Sequence, residues 1–209
     1  AAQLDCYCSL LAKEIERKNN MDLSQITAGL VAVSAARSAI AGTGSKVYLL
    51  SYTDINKATS VVTDNVISSI VMQATKKGYI FETLDNSFDG SSDLVKGTYY
   101  SDFDHKLPLR IFTKTQAAKT FVESLKLARV VAIVENKEIG AAGELKYECY
   151  GWDAGLELMS MKTSTAMADK VVFELELGSG SKSKETSLPK SVFITSVTAT
   201  ETMLSGLIA

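Results

Sequence analysis

The amino-acid sequence predicts a β-dominated α+β fold: an antiparallel β-sandwich or partly open barrel with one packed helix and an N-terminal helical extension. Two observations support this prediction. Short runs of β-branched and aromatic residues, many of them alternating with polar residues, recur from Lys46 to Val197. Apolar residues at helical spacing are found before residue 45 and between Thr115 and Ala128.

Residues 1–45 are predicted to form the helical extension. Apolar residues from Leu4 to Ile15 recur at three- and four-residue spacing, which is typical of an amphipathic helix. A second helix, capped by Asp22 or Ser24, extends towards Gly42. The extension either covers one end of the core or docks on a neighbouring subunit.

The first β-rich stretch follows at once. Its predicted strands are Val47–Tyr52, Val66–Met72, Gly78–Leu84, Leu94–Tyr100 and Lys106–Phe112. Lys76-Lys77-Gly78 is typical of a tight hairpin between two of them. Asp85–Asp93 is predicted to be a solvated acidic loop, because a Ca²⁺ loop of the EF-hand type requires a twelfth-position Glu and flanking helices. Pro108 either argues against a fully central position in a sheet for its strand or marks a bulge.

The second half begins with a helix. Thr113 or Thr115 caps Thr115–Ala128, whose apolar stripe is Ala118, Phe121, Val122 and Leu125. The strands predicted after it are Val130–Val134, Leu145–Tyr150, Leu156–Leu158 and Val171–Leu177, with Gly151–Gly155 as a turn. These strands form a meander with one dry face and one charged face.

The last residues combine a polar link with an apolar tail. Residues 178–187 are predicted to be a flexible, solvated link, and Val192–Val197 a final strand. Residues 198–209 form a C-terminal apolar arm. Because Met203–Ile208 is costly to leave in water, it should pack either on the chain's own core or against a neighbour.

Composition restricts the functional class. The 209 residues fit one domain, residues 46–197, with an extension on each side. A net charge of −2 without a basic block argues against a protein that binds nucleic acid by neutralising phosphates. Residues 26–41 are too short and too polar to span a bilayer, and the first residues lack the pattern of a signal peptide. We therefore expect synthesis in the cytoplasm and no membrane insertion.

No catalytic, cofactor-binding or metal-binding residue is predicted, and the chain is not expected to be an enzyme. His105 is the single histidine, and no nucleophile elbow accompanies it, although a Cys149–His105 pair stays open. Cys6-Tyr-Cys8 lacks the further ligands of a metal site. The carboxylate pairs Glu174/Glu176 and Glu144/Glu148 are each expected on one exposed face.

An ordered set of segments resembles the tail tube proteins of phages and prophages of the Bacteroides group. The segments are KVYLLSYTDI (46–55), TKTQAAKTFVESLKLAR (113–129), IVEN (133–136), YECYGWDAGLEL (147–158), TAMAD (165–169) and VFELELG (172–178). Together they cover roughly residues 45–180. The chain departs from the pattern in its long first 45 residues and in the wording of residues 78–100.

The resemblance implies a virion structural protein, the major tail tube subunit. Such subunits form six-membered rings that contribute strands to an inner barrel, and the rings stack into a conduit for DNA. The implied partners are further copies of the chain, other tail proteins and passing DNA that is not specifically bound. The implied location is the virion tail, assembled in the host cytoplasm. The charged faces bearing Glu148, Glu174 and Glu176 suit the wall, and the loop Thr83–Lys96 is expected to reach the adjacent ring.

Two alternatives stay open. A tail terminator, a neck or connector protein, or a capsid-associated protein would share the β-rich pattern but form a single closed ring. A monomeric β-sandwich binding module would instead bind a ligand through the loops at residues 85–93 or 151–155.

Overall fold

The computed structural model describes residues 42–84, 86–98, 101–163, 172–180 and 183–209. The predicted helices of the N-terminal extension lie outside these residues, and the first strand begins at Thr43 rather than Lys46. The described strands are β1 Thr43–Ser51, β2 Val61–Thr63, β3 Val66–Ser69, β4 Tyr79–Glu82, β5 Ser91–Lys96, β6 Ser101–Ile111, β7 Val130–Asn136, β8 Tyr147–Tyr150, β9 Leu156–Thr163, β10 Phe173–Ser179 and β11 Lys190–Val192. The helices are α1 Gln116–Leu125 and α2 Val197–Gly206, with a 3₁₀ turn at Tyr52–Asp54.

These strands form one network that divides into two sheets. The first, the seven-stranded sheet, has the order β4-β1-β7-β8-β11-β3-β2, in which β11 and β3 run parallel and the other neighbours antiparallel. The second, the four-stranded sheet, has the antiparallel order β9-β10-β6-β5. A single residue pair, Val130 with Leu156, joins them. The β-dominated α+β class predicted from the sequence is confirmed as an open sandwich.

The centre of the seven-stranded sheet is buried on both faces. In β7, Val130, Ala132 and Val134 point into one apolar cluster, whereas Val131 and Ile133 point into another. The four-stranded sheet and α1 cover the first cluster, and α2 covers the second. A strand buried on both sides needs the continuous apolar run that this part of the sequence has.

Helix α1 was correctly predicted. The Thr115 hydroxyl accepts a hydrogen bond from the Ala118 N–H at 3.2 Å, which caps the helix. Val122 and Leu125 are buried, and the ring of Phe121 stacks on Phe81 with centroids 5.5 Å apart. The helix therefore covers one face of the β1–β4 pair.

Three local predictions are wrong. Lys76-Lys77-Gly78 does not close a hairpin, because β3 pairs with β2 and β11 whereas β4 pairs with β1. The predicted strand Val192–Val197 ends at Val192, and Ser196 caps α2 by accepting from the Ala199 N–H at 3.2 Å. The acidic loop also differs from its prediction: Ser87 and Phe88 are buried, and β5 begins at Ser91.

The four-stranded sheet crosses the seven-stranded sheet steeply. The His105 ring meets Tyr150 of β8 edge-on, with centroids 5.7 Å apart. Five residues further along β6, the Arg110 carbonyl accepts from the hydroxyl of Thr83, which follows β4. From β8 to β4 there are three strand spacings, about 14 Å, while five extended residues cover about 17 Å. Strand β6 therefore runs steeply across the strands of the seven-stranded sheet, as in orthogonally packed sheets.

The apolar tail packs on the chain's own core, one of the two alternatives left open by the sequence. Leu204 is fully buried and Leu207 nearly so, in the cluster shared with β1 and β7. The Gly78 N–H donates to the Leu207 carbonyl at 2.7 Å, and the Ala209 N–H donates to the Gly78 carbonyl at 3.1 Å. The last residues are thus integrated into the fold rather than held out as an arm.

We expect Leu204→Ala to lower the free energy of unfolding by about 2–5 kcal/mol, since a fully buried leucine leaves a cavity that closes only partly. Urea unfolding followed by circular dichroism measures the change. Leu127→Ala is the control, because that side chain is 92% exposed. Equal stabilities of the two variants would contradict burial of the tail.

Candidate functional site

The outward face of the four-stranded sheet is a charged β-surface. Strand alternation and register place Glu174 and Glu176 of β10 beside Arg110 and Pro108 of β6. Further along, Lys106 of β6 bonds Asp93 of β5 at 2.8 Å. The carboxylates of this face are Asp93, Asp102, Asp104, Glu157, Glu174 and Glu176, and its cations are Lys106, Arg110, Lys162 and Lys184, the last of which bonds Asp104 at 2.8 Å. Acidic groups therefore predominate on it.

Only part of the charged set expected from the sequence shares this face. Glu148 lies in β8 of the other sheet and accepts from the Tyr150 hydroxyl at 2.8 Å. Glu144 lies in the turn before β8, so it does not form a strand pair with Glu148. Lys146 also lies away from this face, and its Nζ is 2.6 Å from Oε1 of Glu201.

Within the described residues, both edges of the four-stranded sheet are open over most of their length. Strand β5 pairs there only with β6, and β9 meets a second neighbour only at Leu156. Leu94 at the β5 edge is 55% exposed and Met161 at the β9 edge is 47% exposed. Their cross-strand partners, Phe103 and Leu175, show that both point to the packed side of the sheet. Each edge thus combines unpaired main chain with an uncovered apolar side chain.

A buried polar centre lies where β6, β8 and the residue 183–190 segment meet. Glu185 is fully buried, and its carboxylate accepts N–H groups of three consecutive residues, Asp153, Ala154 and Gly155, at 2.7, 2.8 and 3.0 Å. Positive φ angles at Gly151 and Gly155 shape this turn. The main chain of Glu185 also pairs with Phe103 of β6.

The sequence predicted a solvated link at this position, and that prediction is wrong for Glu185. We call residues 183–190 the strap. It connects the Gly151–Gly155 turn to β6, and its three donors offset part of the cost of burying the carboxylate. Nothing in the local pattern KSKETS distinguishes Glu185 from the other polar residues, so sequence reasoning missed it.

His105 is a second anchor of the strap. Its ring is buried, with Nδ1 accepting from the Gly151 N–H at 3.3 Å and Nε2 placed 3.0 Å from the Ser187 carbonyl. Because Nδ1 faces a donor and Nε2 an acceptor, the neutral ring with its proton on Nε2 satisfies both contacts. Burial lowers the pKa of His105 to about 4, so the ring is neutral at pH 7.

The side chain of Cys149, in β8, and the ring of His105, in β6, lie on opposite sides of β8. The Cys149 side chain points into the cluster beneath α2, whereas the His105 ring contacts Tyr150, which faces the other cluster. Burial raises the pKa of the Cys149 thiol well above its usual range, which disfavours the thiolate. No group of three or more His, Cys, Asp or Glu among the described residues is arranged to hold a metal ion.

A cleft of about 360 Å³ lies between the start of β1, β8 and the residues before β5. Asp89, Glu138 and Glu148 give it acidic walls, and Tyr147 and Tyr150 line it as well. Gly90 lies against the Tyr150 ring so closely that a Cβ there would be 2.4 Å from the hydroxyl oxygen. The cleft is the concave surface that suits a small ligand of positive charge.

None of the helices in the described part of the chain has the length and apolar character to cross a membrane. Comparisons of the chain with protein-family models, with curated proteins and with solved structures return no match.

Proposed function

We propose that this chain is a virion structural protein, the major tail tube subunit, which assembles into stacked rings of six around a DNA conduit. One observation supports the proposal most strongly. The four-stranded sheet has two open edges, one packed face and one charged face, which are the requirements for one segment of a multi-subunit barrel. The ordered sequence resemblance to tail tube proteins supplies the ring number and the stacking.

Ring closure would remove both open edges. Adding β5 of one subunit to β9 of the next pairs main-chain groups that are otherwise unpaired, and it covers Leu94 and Met161 on the packed side. The two edges are unlike, so they would pair in head-to-tail order, the arrangement that generates closed rings.

The outward face would then line the conduit. A wall in which carboxylates predominate repels phosphates, whereas a basic wall would bind them through counterion release. Arg110 and Lys162 flank Glu174 and Lys106 bonds Asp93, so local pairing offsets the positive charges. Passing DNA is thus not specifically held. Other tail proteins would cap the two ends, with assembly in the host cytoplasm and the finished tube in the virion tail.

A monomeric binding module is the second candidate, favoured by the acidic cleft at Asp89, Glu138 and Glu148. The loops first considered for that role are less suited to it. The carboxylate of Glu185 already takes three N–H groups of the Gly151–Gly155 turn, and Phe88 belongs to the core.

We expect Leu94→Asp to abolish ring formation while the subunit stays folded, because a charge at the β5 edge resists burial against a neighbour. Electron microscopy and sedimentation of the purified protein measure assembly, and circular dichroism measures folding. Ile139→Asp is the matched control, since Ile139 is 52% exposed but lies in a loop away from both edges.

Tubes or rings formed by Leu94→Asp as well as by the native chain would refute the β5 edge as a ring contact. A native chain that stays monomeric at high concentration, also with the other tail proteins, would refute the tube function. Single rings that never stack would favour a terminator, neck or capsid-associated protein.

A further inference from the structure

The outer edge of β4 has main-chain groups that no described residue pairs. The Thr83 N–H donates to the Ser45 carbonyl of β1 at 2.9 Å, whereas the Gly78 N–H points away from β1 and donates to Leu207. Because strand residues alternate in direction, Ile80 and Glu82 also point away from β1. Leu207–Ala209 occupies this edge at Gly78 only, so the edge is open from Ile80 onward within the described chain.

The side chains of this edge are apolar on both faces. Tyr79 is 67% exposed, Ile80 39% and Leu84 61%. Their positions alternate, so Tyr79 and Ile80 lie on opposite faces of the sheet. An open edge with apolar groups on both sides promotes pairing with another strand, and proteins normally blunt such edges.

The opposite edge of the same sheet is similar. Among the described residues, strand β2 pairs only with β3, and Val61 on it is 49% exposed. Exposed Lys77 lies before β4 and exposed Asp64 in the β2–β3 turn, while Glu82 of β4 is paired with Lys46 at 3.8 Å. The opposite charges of Lys77 and Asp64 favour contact of one edge with the other on a second copy.

The crossing of the two sheets decides where the β4 and β2 edges face relative to the β5 and β9 edges. Strands of the four-stranded sheet run steeply across the strands of the seven-stranded sheet, so the edges of the two sheets face clearly different directions. If β5 and β9 join neighbours around a ring, β4 and β2 face obliquely towards the rings above and below.

We propose that the β4 edge docks on the β2 edge of a second copy in the next ring, by strand addition. This inference rests on the proposed tube function. It replaces the loop at residues 83–96 as the inter-ring contact, because that segment contains the core residue Phe88 and most of it is part of the fold. A contact between unlike edges that repeats along the ring axis, rather than around it, does not close, so rings joined in this way stack repeatedly.

The test uses two variants of the full chain that each disable one edge. Ile80→Pro removes the outward N–H and leaves the hydrogen bonds of β4 to β1 in place. Val61→Asp places a charge on the β2 edge at a half-exposed position. We expect each variant to form six-membered rings that do not stack, whereas the control Ile80→Val, which keeps the N–H, forms tubes of native length.

Mixing the two variants tests whether the partner of the β4 edge is the β2 edge of a second copy. Each retains the edge that the other lacks, so the mixture should form pairs of rings and nothing longer, measured by electron microscopy and sedimentation. Full-length tubes from Ile80→Pro, or a mixture that stays as single rings, would overturn the proposal. Glu82→Pro replaces Ile80→Pro if circular dichroism shows that the latter is unfolded, since Glu82 also points outward.

The two proposals fail in different ways. Native chain that never forms rings overturns the tube function and with it this inference. Native rings that form but do not stack overturn both as well, whereas native tubes that Ile80→Pro and Val61→Asp also form overturn the inference alone.

Discussion

Replacing Glu185 by alanine is expected to lower the free energy of unfolding by about 4 kcal/mol. The three N–H groups of Asp153, Ala154 and Gly155 lose their acceptor, at about 1–3 kcal/mol for each buried donor left unsatisfied. Part of this loss is offset, because burial outweighs the three donors and raises the pKa of the Glu185 carboxyl, so its charge is itself costly in the folded state.

Urea unfolding measures this change, and the fluorescence of Trp152 is a suitable signal. It is the single tryptophan, is 6% exposed and lies in the turn that Glu185 holds. Glu185→Gln keeps one acceptor oxygen and should lie between the native chain and Glu185→Ala. The control Glu157→Ala, at an exposed position, should change the free energy of unfolding by less than about 0.5 kcal/mol. A loss below about 1 kcal/mol for Glu185→Ala would show that the strap does not depend on this carboxylate.

Acidification is expected to destabilise the native chain through His105. The unfolded histidine takes up its proton near pH 6.5, whereas in the folded chain the pKa is about 4. Between these values the unfolded state binds more protons, so stability falls as the pH is lowered and the effect is complete below about pH 4. The shift corresponds to about 3 kcal/mol. Protonation would also place a donor on Nδ1 against the Gly151 N–H.

The measurement is the difference in free energy of unfolding between the native chain and His105→Gln, from pH 7.5 to pH 4. The charged and titratable groups around His105 are Asp104, Asp153, Glu185, Lys190 and Tyr150. The raised carboxyl pKa of Glu185 acts in the opposite direction, because it favours the folded state as the pH falls. Glu185 is present in both proteins, so the difference isolates His105. A difference that does not vary with pH would contradict a buried neutral ring.

The elements of the fold could largely be predicted because their causes are local. Alternation in β10 specifies a strand with one buried and one charged face, and the structure has Phe173, Leu175 and Leu177 buried there. Thr115 and the apolar stripe after it specify α1 in the same way. The absence of a continuous basic block also belongs to the sequence alone.

The strap could not be predicted, since Glu185 meets its partners only when residues 30 to 32 positions apart in the chain are brought together. Phe88 was assigned to a solvated loop because its neighbours are polar, yet it bridges to Leu109 and is 2% exposed. The local sequence shows the neighbours of a residue along the chain but not its neighbours across a sheet.

The sequence by itself determined the β-dominated class, the periodicity of most strands and the capped helix α1, because side-chain alternation and capping act over a few residues. Only the tertiary structure decided which carboxylates share a face, that the apolar tail packs on its own core, and which sheet edges are open within the described part of the chain. Those features depend on strand order and on the angle between two sheets. Both are set by how the apolar faces pack together, and neither can be predicted from a short segment of the sequence.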